Sequence, residues 1–226
     1  MKEAAIPIMV PALASQSLHG VRAVLFDLDG TLVDSFRSHY RVYQRVFTDL
    51  GMLFDEAAYR RFYSPNWYIF YERLGVPKDR WPEADRLWLH YYGQEAPDRR
   101  EGADDVLAAV VASGRALGLV TSGDRSRVER DLQRMGWTNH FRVLICGGDT
   151  ADRKPEPAPL LAALDQLHVP PSQAAYVGDT VEDVMMGKAG GVTTVAVLGG
   201  FSAKETLEQT QPDLLLPSLR DLVGYL

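Results

Sequence analysis

The chain is poor in cysteine, in basic charge and in long apolar runs, and each shortage excludes a class of protein. Its 226 residues include a single cysteine, Cys146, so no disulfide can form within the chain, which suits a reducing compartment. The net charge of −6 at pH 7 argues against sequence-independent binding of nucleic acid and against a cationic membrane-surface role. No apolar run reaches the ~18 residues that a bilayer span needs. We therefore expect a cytoplasmic protein.

The first twenty residues have only a weak likeness to a secretion signal. Residues 4–14 (AAIPIMVPALA) are mildly apolar and end in Ala-x-Ala. However, Glu3 adds a negative charge to the first segment, which is positively charged in a secretion signal, and Pro7 and Pro11 interrupt the apolar region. We interpret residues 1–20 as a non-catalytic arm on the surface of the domain.

Residues 34–101 are rich in aromatic side chains at helical spacing. The first such pattern consists of Phe36, Tyr40, Tyr43, Phe47 and Leu50, and it stops at Gly51. Two further patterns, Trp67 to Leu74 and Ala84 to Tyr91, each stop at a glycine. This spacing predicts an all-helical cap at residues 34–101. It favours the aromatic residues as the core of the cap over a substrate-binding box.

The remaining chain alternates short apolar runs with helical patterns. The predicted strands are Val21–Phe26, Leu117–Val120, Val143–Ile145, Ala174–Val177, Val192–Leu198 and Leu214–Leu216. The predicted helices are Ala103–Ser113, Arg125–Met135, Ala158–Leu167 and Val181–Ala189. This alternation predicts an α/β fold, a Rossmann-like, mainly parallel sheet with helices on both faces. Residues 21–33 and 102–226 form this catalytic core, and the cap is inserted after its first strand.

Polar residues follow several of the predicted strands directly. They are Asp27 and Asp29 after the first strand, Thr121, Ser122 and Gly123 after the second, and Asp179 followed by Asp183 after the fourth. Lys154 lies in the loop after the third strand. Because ligands bind at the carboxyl ends of strands in open parallel sheets, we expect these groups to converge on one rim.

Three aspartates crowded on one rim repel one another unless a cation lies between them. Asp27, Asp29 and Asp179 offer oxygen ligands, which suit a hard divalent ion, and Mg²⁺ is the expected one. A carboxylate beside a phosphoryl group can attack phosphorus, and a second carboxylate two residues away can protonate the leaving oxygen. Hydroxyls and a lysine supply donors for phosphoryl oxygens.

These segments resemble the four motifs of the haloacid dehalogenase superfamily, in its phosphoglycolate-phosphatase-like branch with a helical cap. The matching segments are Asp27 to Ser35 (DLDGTLVDS), Thr121 to Gly123 (TSG), Lys154 to Pro159 (KPEPAP) and Gly178 to Asp183 (GDTVED). The resemblance covers residues 21–226. It implies a Mg²⁺-dependent phosphatase that acts on a small phosphorylated metabolite through an aspartyl-phosphate.

The resemblance also assigns a role to each motif residue. Asp27 is implied as nucleophile and metal ligand, and Asp29 as acid/base whose backbone carbonyl also faces the metal. Thr121 or Ser122, with the amide of Gly123, is implied to hold a phosphoryl oxygen. Lys154 is implied to offset negative charge and Asp179 to bind the metal. Asp183 is implied to support the site, through a metal-bound water or a bond to Lys154; a charge at a helix N-terminus is its simpler interpretation.

Other activities of related enzymes remain open or are disfavoured. A sugar-phosphate mutase related to β-phosphoglucomutase keeps both aspartates, and an inorganic pyrophosphatase is also open. Dehalogenases lack the second carboxylate, so Asp29 argues against that reaction, and Lys78 is the only lysine from Asp34 to Arg100, which disfavours phosphonate cleavage through a cap lysine. A non-catalytic binding module is disfavoured because every motif residue is present.

Three basic residues, Arg37, His39 and Arg41, soon follow the first motif, at positions from which a side chain can face the cleft. For each of them a solvated helix face is the preferred interpretation over substrate contact. Cys146 is expected to be a small buried residue. The oligomeric state and the identity of the substrate are open.

Overall fold

Short apolar segments form the strands of the computed structural model, which describes residues 18–226. The strands are β1 (Ala23–Phe26), β2 (Val33–Asp34), β3 (Asp98–Arg99), β4 (Ala116–Val120), β5 (Val143–Ile145), β6 (Ala174–Gly178), β7 (Thr193–Val197) and β8 (Leu214–Leu216). Strands β2 and β3 pair antiparallel with each other, and the other six form one sheet in which every pair is parallel. The six strands predicted from the apolar runs are all present.

Nine helices connect these strands in the described part of the chain. They are α1 (Phe36–Asp49), α2 (Glu56–Phe62), α3 (Trp67–Arg73), α4 (Trp81–Tyr92), α5 (Ala103–Ala112), α6 (Arg125–Arg134), α7 (Ala158–Leu167), α8 (Val181–Gly190) and α9 (Lys204–Gln209). Short 3₁₀ helices lie at Lys78–Arg80, Pro171–Gln173 and Leu219–Tyr225.

The order of the sheet, β5-β4-β1-β6-β7-β8, places the first strand at its centre. The chain runs outward from β1 through β4 and β5, and then returns to the other side of β1 with β6. This is the strand order of a doubly wound dinucleotide-binding sheet, in which a crevice opens where the direction of winding reverses. The crevice therefore lies at the carboxyl ends of β1 and β6.

Both faces of the sheet are covered, as the near-continuous apolar strands require. Along β1, Ala23 and Leu25 pack with the buried side of α7 and α8, whereas Val24 and Phe26 pack with α5 and α6. The predicted α/β class, with helices on both faces of a parallel sheet and a helical insertion, is confirmed.

The helical insertion between β2 and β3 contains one helix that the sequence pattern does not reveal. Helix α2 buries only Tyr59, so it has no apolar repeat, and it begins where the Asp55 carboxylate accepts a hydrogen bond from the amide of Ala58. The aromatic residues of α1, α3 and α4 form a separate hydrophobic cluster, which Phe201 of the core joins. The entry and exit of this insertion pair with each other as the β2–β3 ribbon.

Most of the N-terminal arm expected at residues 1–20 lies outside the described residues. The described chain starts at Leu18, whose amide donates to the carbonyl of Tyr225 at 3.0 Å. Within residues 18–226 no helix is both long enough and apolar enough to span a bilayer. Cys146 is buried, as expected.

The central position of β1 makes its side chains the most sensitive part of the core. We expect Leu25→Ala to lower the free energy of unfolding by about 2–5 kcal/mol, since it removes buried methyl groups and leaves a cavity. The same substitution at the fully exposed Leu53 should change it by less than about 0.5 kcal/mol. Urea unfolding of both variants measures the difference, and equal effects would contradict the assignment of β1 to the core.

Candidate active site

The crevice contains Asp27 and Asp179, which directly follow β1 and β6 in the chain. The amide of Asp27 donates to the carbonyl of Val177 at 2.9 Å, so the ladder between the two strands continues up to the carboxylates. Both aspartates are buried. Parallel pairing therefore brings together two acidic residues that are 152 positions apart in the sequence.

Both oxygen atoms of the Asp179 carboxylate are held in place by the loops around it. Oδ1 accepts a hydrogen bond from the Thr31 hydroxyl at 2.8 Å, and Oδ2 accepts one from the amide of Phe201 at 2.7 Å. Gly30 has a φ of +82°, and a Cβ at this position would overlap the Asp179 carboxylate. The glycine of the first motif is thus required both by its backbone conformation and by the close approach of the aspartate.

Lys154 contacts both Asp27, the candidate nucleophile, and Asp183 of the fourth motif. Its ammonium nitrogen lies 2.6 Å from Oδ1 of Asp27 and 2.7 Å from Oδ1 of Asp183, and its side chain is only 2% exposed. Burial alone would lower the pKa of this lysine, but the charges of Asp183 and Asp27 outweigh burial and raise it. Lys154 is therefore a fixed positive charge between two carboxylates.

Asp183 has both roles that the sequence left open. Its Oδ2 accepts hydrogen bonds from the amide of Thr180 at 3.0 Å and from the Thr180 hydroxyl at 2.6 Å, which forms a capping box at the start of α8. Its Oδ1 receives Lys154 and, at 3.2 Å, the hydroxyl of Tyr176. The expected bond to Lys154 is thus present, and the helix cap fixes the carboxylate that makes it.

The carboxylates of Asp27, Asp179 and Asp183 form a cluster suited to a hard cation. They offer ligand oxygens that all lie within 4.8 Å of one another, and all three are buried. Burial and the charge of Asp183 raise the pKa of Asp179 to about 7, and burial also raises the pKa of Asp27 even though Lys154 opposes it. One lysine does not balance three buried carboxylates, so the donor set fits a divalent cation that prefers oxygen ligands.

The side chain of Asp29 has different partners from this cluster. Its carboxylate forms a two-point ion pair with Arg127, at 2.5 and 3.1 Å, and Nε2 of His39 lies 3.2 Å away without the alignment of a hydrogen bond. Burial would raise the pKa of Asp29, but the charges of Arg127 and His39 lower it well below the usual value. Asp183 thus joins the carboxylate cluster in which the sequence analysis expected Asp29. A metal contact through the backbone carbonyl of Asp29 stays a prediction.

Arg127, on α6, is a site residue that sequence reasoning missed. It is buried, and its guanidinium lies 4.9 Å from the ring of Tyr92 in α4, so it joins the core to the helical insertion. A Cβ at Gly123 would overlap this guanidinium, so only glycine fits at this position of the second motif while Arg127 stays in place. The available signal was the spacing of Arg127 and Asp131, four residues apart beside the buried Val128 and Leu132.

A cavity of about 170 Å³ lies over the carboxylates, between the core and the helical insertion. Its core side contains Asp27, Asp29, Thr121, Ser122, Gly123 and Arg127. Oγ1 of Thr121 accepts a hydrogen bond from the amide of Gly123 at 3.2 Å, so the second motif forms a compact turn at the end of β4. The structure therefore brings the residues of the first and second motifs to one cavity.

The opposite wall of the cavity corrects one preference of the sequence analysis. Of the three basic residues after the first motif, His39 lines the cavity, whereas Arg37 and Arg41 pair with Glu56 and Glu95 on the surface. Tyr43, Trp67 and Trp88 belong to the hydrophobic cluster of the insertion, as predicted, and they also line the cavity. Helical spacing cannot separate these two environments, because the cavity borders the core of the insertion.

Comparison with known proteins shows the family of this chain. A family model described as haloacid dehalogenase-like hydrolase matches residues 24–197. The phosphoglycolate phosphatases of Escherichia coli (strain K12) and Salmonella paratyphi A are 30% and 31% identical to the chain, over 91% and 92% of its length and 92% and 94% of theirs. The solved structure of a haloacid dehalogenase-like family hydrolase from Streptococcus pneumoniae superposes with a TM-score of 0.81 at 25% identity, and the match covers 91% of this chain and 98% of that one.

Loss of the buried ion pair between Arg127 and Asp29 should lower the free energy of unfolding more than loss of an exposed ion pair. We expect Arg127→Met to lower the free energy of unfolding by about 3–5 kcal/mol, because it leaves the buried Asp29 carboxylate without its partner. Arg125→Met, two positions earlier on the exposed face of α6, also removes ion pairs but should cost less than about 1 kcal/mol. Denaturant unfolding of the two variants tests this. If Arg127→Met lowered the free energy of unfolding as little as Arg125→Met, the buried ion pair would be refuted.

Proposed function

Because the chain belongs to the haloacid dehalogenase-like hydrolase family and is a hydrolase of phosphoric monoesters, we propose that it hydrolyses a small phosphorylated metabolite through an aspartyl-phosphate on Asp27. The observation that carries this proposal is the buried cluster of Asp27, Asp179 and Asp183 around Lys154 at the switch point of the sheet. Its relatives named phosphoglycolate phosphatase support the phosphomonoester class.

The first half of the reaction transfers the phosphoryl group to the protein. A carboxylate oxygen of Asp27 attacks phosphorus, the ester bond between phosphorus and the alcohol oxygen breaks, and the alcohol leaves with a proton from Asp29. In the second half a water molecule attacks the aspartyl-phosphate, gives a proton to Asp29 and releases inorganic phosphate. The sum is one ester and one water consumed, and one alcohol and one phosphate formed.

With the contacts that Asp29 makes in this structure, its environment suits the second half of the reaction. The ion pair with Arg127 lowers the pKa of Asp29, so its carboxylate is ready to accept a proton from water. To donate a proton in the first half, Asp29 must first be separated from Arg127. Since Arg127 also contacts Tyr92 of the insertion, movement of the insertion is a direct way to loosen the pair.

The remaining motif residues bind and neutralise the phosphoryl group. Thr121, Ser122 and Gly123 line the cavity beside Asp27. The two hydroxyls, and the Gly123 amide once it leaves Oγ1 of Thr121, are proposed to donate to phosphoryl oxygens. Lys154 favours the ionised form of the nucleophile, although burial outweighs it, and offsets the added charge. Mg²⁺ would be held by Asp27 and Asp179, with the backbone carbonyl of Asp29 and support from Asp183. When bound, it supplies the positive charge that this cluster lacks.

We also propose the division of the chain into an arm at residues 1–20, a core at 21–33 and 102–226, and a cap at 34–101. The β2–β3 ribbon, where Val33 pairs with Arg99 and Asp34 with Asp98, is the stem on which the cap would open and close. Closure would exclude water during the first transfer. A small phosphorylated substrate in the cytoplasm is the expected partner, with neither nucleic acid nor membrane.

Replacement of the nucleophile should abolish turnover. Asp27→Asn keeps the size of the side chain but removes the attacking carboxylate, so we expect release of phosphate from p-nitrophenyl phosphate to fall by at least about a thousandfold. Circular dichroism of the variant controls for folding. Undiminished turnover would end the assignment of Asp27. In the active protein, conversion of a sugar monophosphate to an isomer without free phosphate would show a mutase instead.

Removal of divalent cations should both inactivate and destabilise the protein. We expect chelation to abolish turnover and added Mg²⁺ to restore it, because three buried carboxylates then regain a counter-charge. Mg²⁺ should also raise the Tm, since it binds only the folded site. Asp179→Asn is expected to lose this Mg²⁺-dependent rise in Tm. Full activity after exhaustive chelation would contradict the proposed site.

A further inference from the structure

Tyrosine and tryptophan make up half of the residues with which the cap lines the cavity, and His39, Ser64, Pro65, Asp85 and Leu89 make up the rest. Five aromatic side chains of the cap line it, namely Tyr43, Tyr63, Trp67, Tyr71 and Trp88. The rings hold one another in place: Tyr43 lies 6.1 Å from Trp88 between ring centroids, and Tyr63 stacks on Phe201 of the core at 4.3 Å. A substrate whose phosphoryl group lies at Asp27 would therefore extend its alcohol portion into an aromatic cage.

One carboxylate, Asp85 of α4, lies in this aromatic wall. Its Oδ1 accepts a hydrogen bond from the hydroxyl of Tyr71 at 3.1 Å, and its Oδ2 accepts one from Tyr68 at 3.4 Å. It is half-buried and lines the cavity. Burial raises the pKa of Asp85, whereas the two tyrosine hydroxyls and the charge of Arg153 oppose this and favour the ionised carboxylate. Asp85 therefore adds an acidic group to the aromatic wall.

Arginine and lysine are scarce in the lining of the cavity. Within residues 18–226, Arg127 is the one arginine in the lining, and no lysine belongs to it. Arg127 is already paired with Asp29. Arg153 lies outside the lining, where it stacks on the ring of Trp67 at 4.2 Å and its Nη1 has no hydrogen-bond partner among the described residues. Within the lining itself, a carboxylate on the substrate, as in glycolate phosphate, would meet aromatic rings and the like charge of Asp85.

We propose that the physiological substrate is a phosphomonoester of an alcohol that bears a quaternary ammonium group, with this cation held in the aromatic cage beside Asp85. The inference rests on the proposed phosphatase function and names its substrate class. Aromatic faces attract such cations through their quadrupoles, and a nearby carboxylate adds direct attraction. A quaternary ammonium has no N–H groups, so it needs charge and ring faces rather than further hydrogen-bond acceptors.

The decisive comparison is between phosphocholine and 3,3-dimethylbutyl phosphate, in which a neutral carbon replaces the nitrogen. Phosphate release by the full chain with Mg²⁺ gives kcat/KM for each. We expect phosphocholine to exceed its neutral isostere by about tenfold or more, and glycolate phosphate by a larger factor. Equal or better turnover of the isostere, or of glycolate phosphate, would overturn the proposal.

Two further substrates separate the quaternary cation from other ligands of aromatic cavities. Phosphoethanolamine keeps the charge but adds N–H donors, and it should be poorer than phosphocholine. Glucose 6-phosphate tests for a sugar, because the indole N–H groups of Trp67 and Trp88 have no hydrogen-bond partner among the described residues. Preference for either substrate over phosphocholine would refute the proposal.

Substitution of Asp85 tests its part in the preference directly. Asp85→Asn should bring the ratio of kcat/KM for phosphocholine to that for the isostere down toward one. Asp79→Asn removes a charge from an exposed cap position and should leave this ratio as in the wild type. An unchanged ratio in Asp85→Asn would contradict the assignment.

A measurement on the wild-type protein avoids any dependence on the folding of a variant. Choline should inhibit hydrolysis of p-nitrophenyl phosphate competitively, and 3,3-dimethylbutanol should inhibit at least about tenfold more weakly. Equal inhibition would refute the cage while leaving the phosphatase intact. Absence of hydrolysis for every phosphomonoester, p-nitrophenyl phosphate included, would instead refute the proposed function itself.

Discussion

The arrangement of this protein depends on the burial of three carboxylates around a single ammonium group. Asp27, Asp179 and Asp183 converge because β1 and β6 are parallel neighbours and because α8 starts directly after β6. Lys154 reaches two of them and leaves the group with excess negative charge. Such a group is stable only with protons or with a cation, and the raised pKa of Asp179 expresses the first alternative. In the proposed function a divalent cation relieves this excess of negative charge and also offsets the charge of the phosphoryl group, so binding and chemistry share one electrostatic cause.

A second electrostatic feature connects this site to the cap. Asp29 is part of the first motif, yet its carboxylate belongs to a network with Arg127 of the core and His39 of the cap. The pKa of Asp29 is therefore sensitive to the position of the cap helices. In the proposed reaction Asp29 loses a proton in one half and gains it in the other, and a helical insertion that moves between the two halves offers a physical means of changing its environment. The Asp29 carboxylate and the helical insertion are thus coupled through Arg127 and His39.

The cap and the core differ in how well the sequence predicts them. In the core, Leu25 and its neighbours are buried on both faces of the sheet, so the strands are mostly apolar runs. The ends of β1, β4 and β6 are marked by Asp27, Thr121 and Asp179. In the cap, helix α2 was missed because Tyr59 is its only buried residue, and the β2–β3 ribbon was missed because strands of two residues have no period. Aromatic side chains such as Tyr43 and Trp88 have helical spacing whether they pack in the core or line the cavity.

The sequence by itself determined the α/β architecture, the position of the inserted cap and the family, because strand periodicity and the four motifs are local patterns. It also identified the motif residues at the strand ends, since residues at strand ends must meet at one edge of a parallel sheet. Only the tertiary structure decided the partners of these residues. Asp183 lies in one carboxylate cluster with Asp27 and Asp179. Arg127 forms an ion pair with Asp29, and Asp85 accepts a hydrogen bond from Tyr71 among the aromatic side chains of the cap. These pairings join groups that are far apart in the chain, and they depend on side-chain directions and on the placement of the cap, which no local pattern contains.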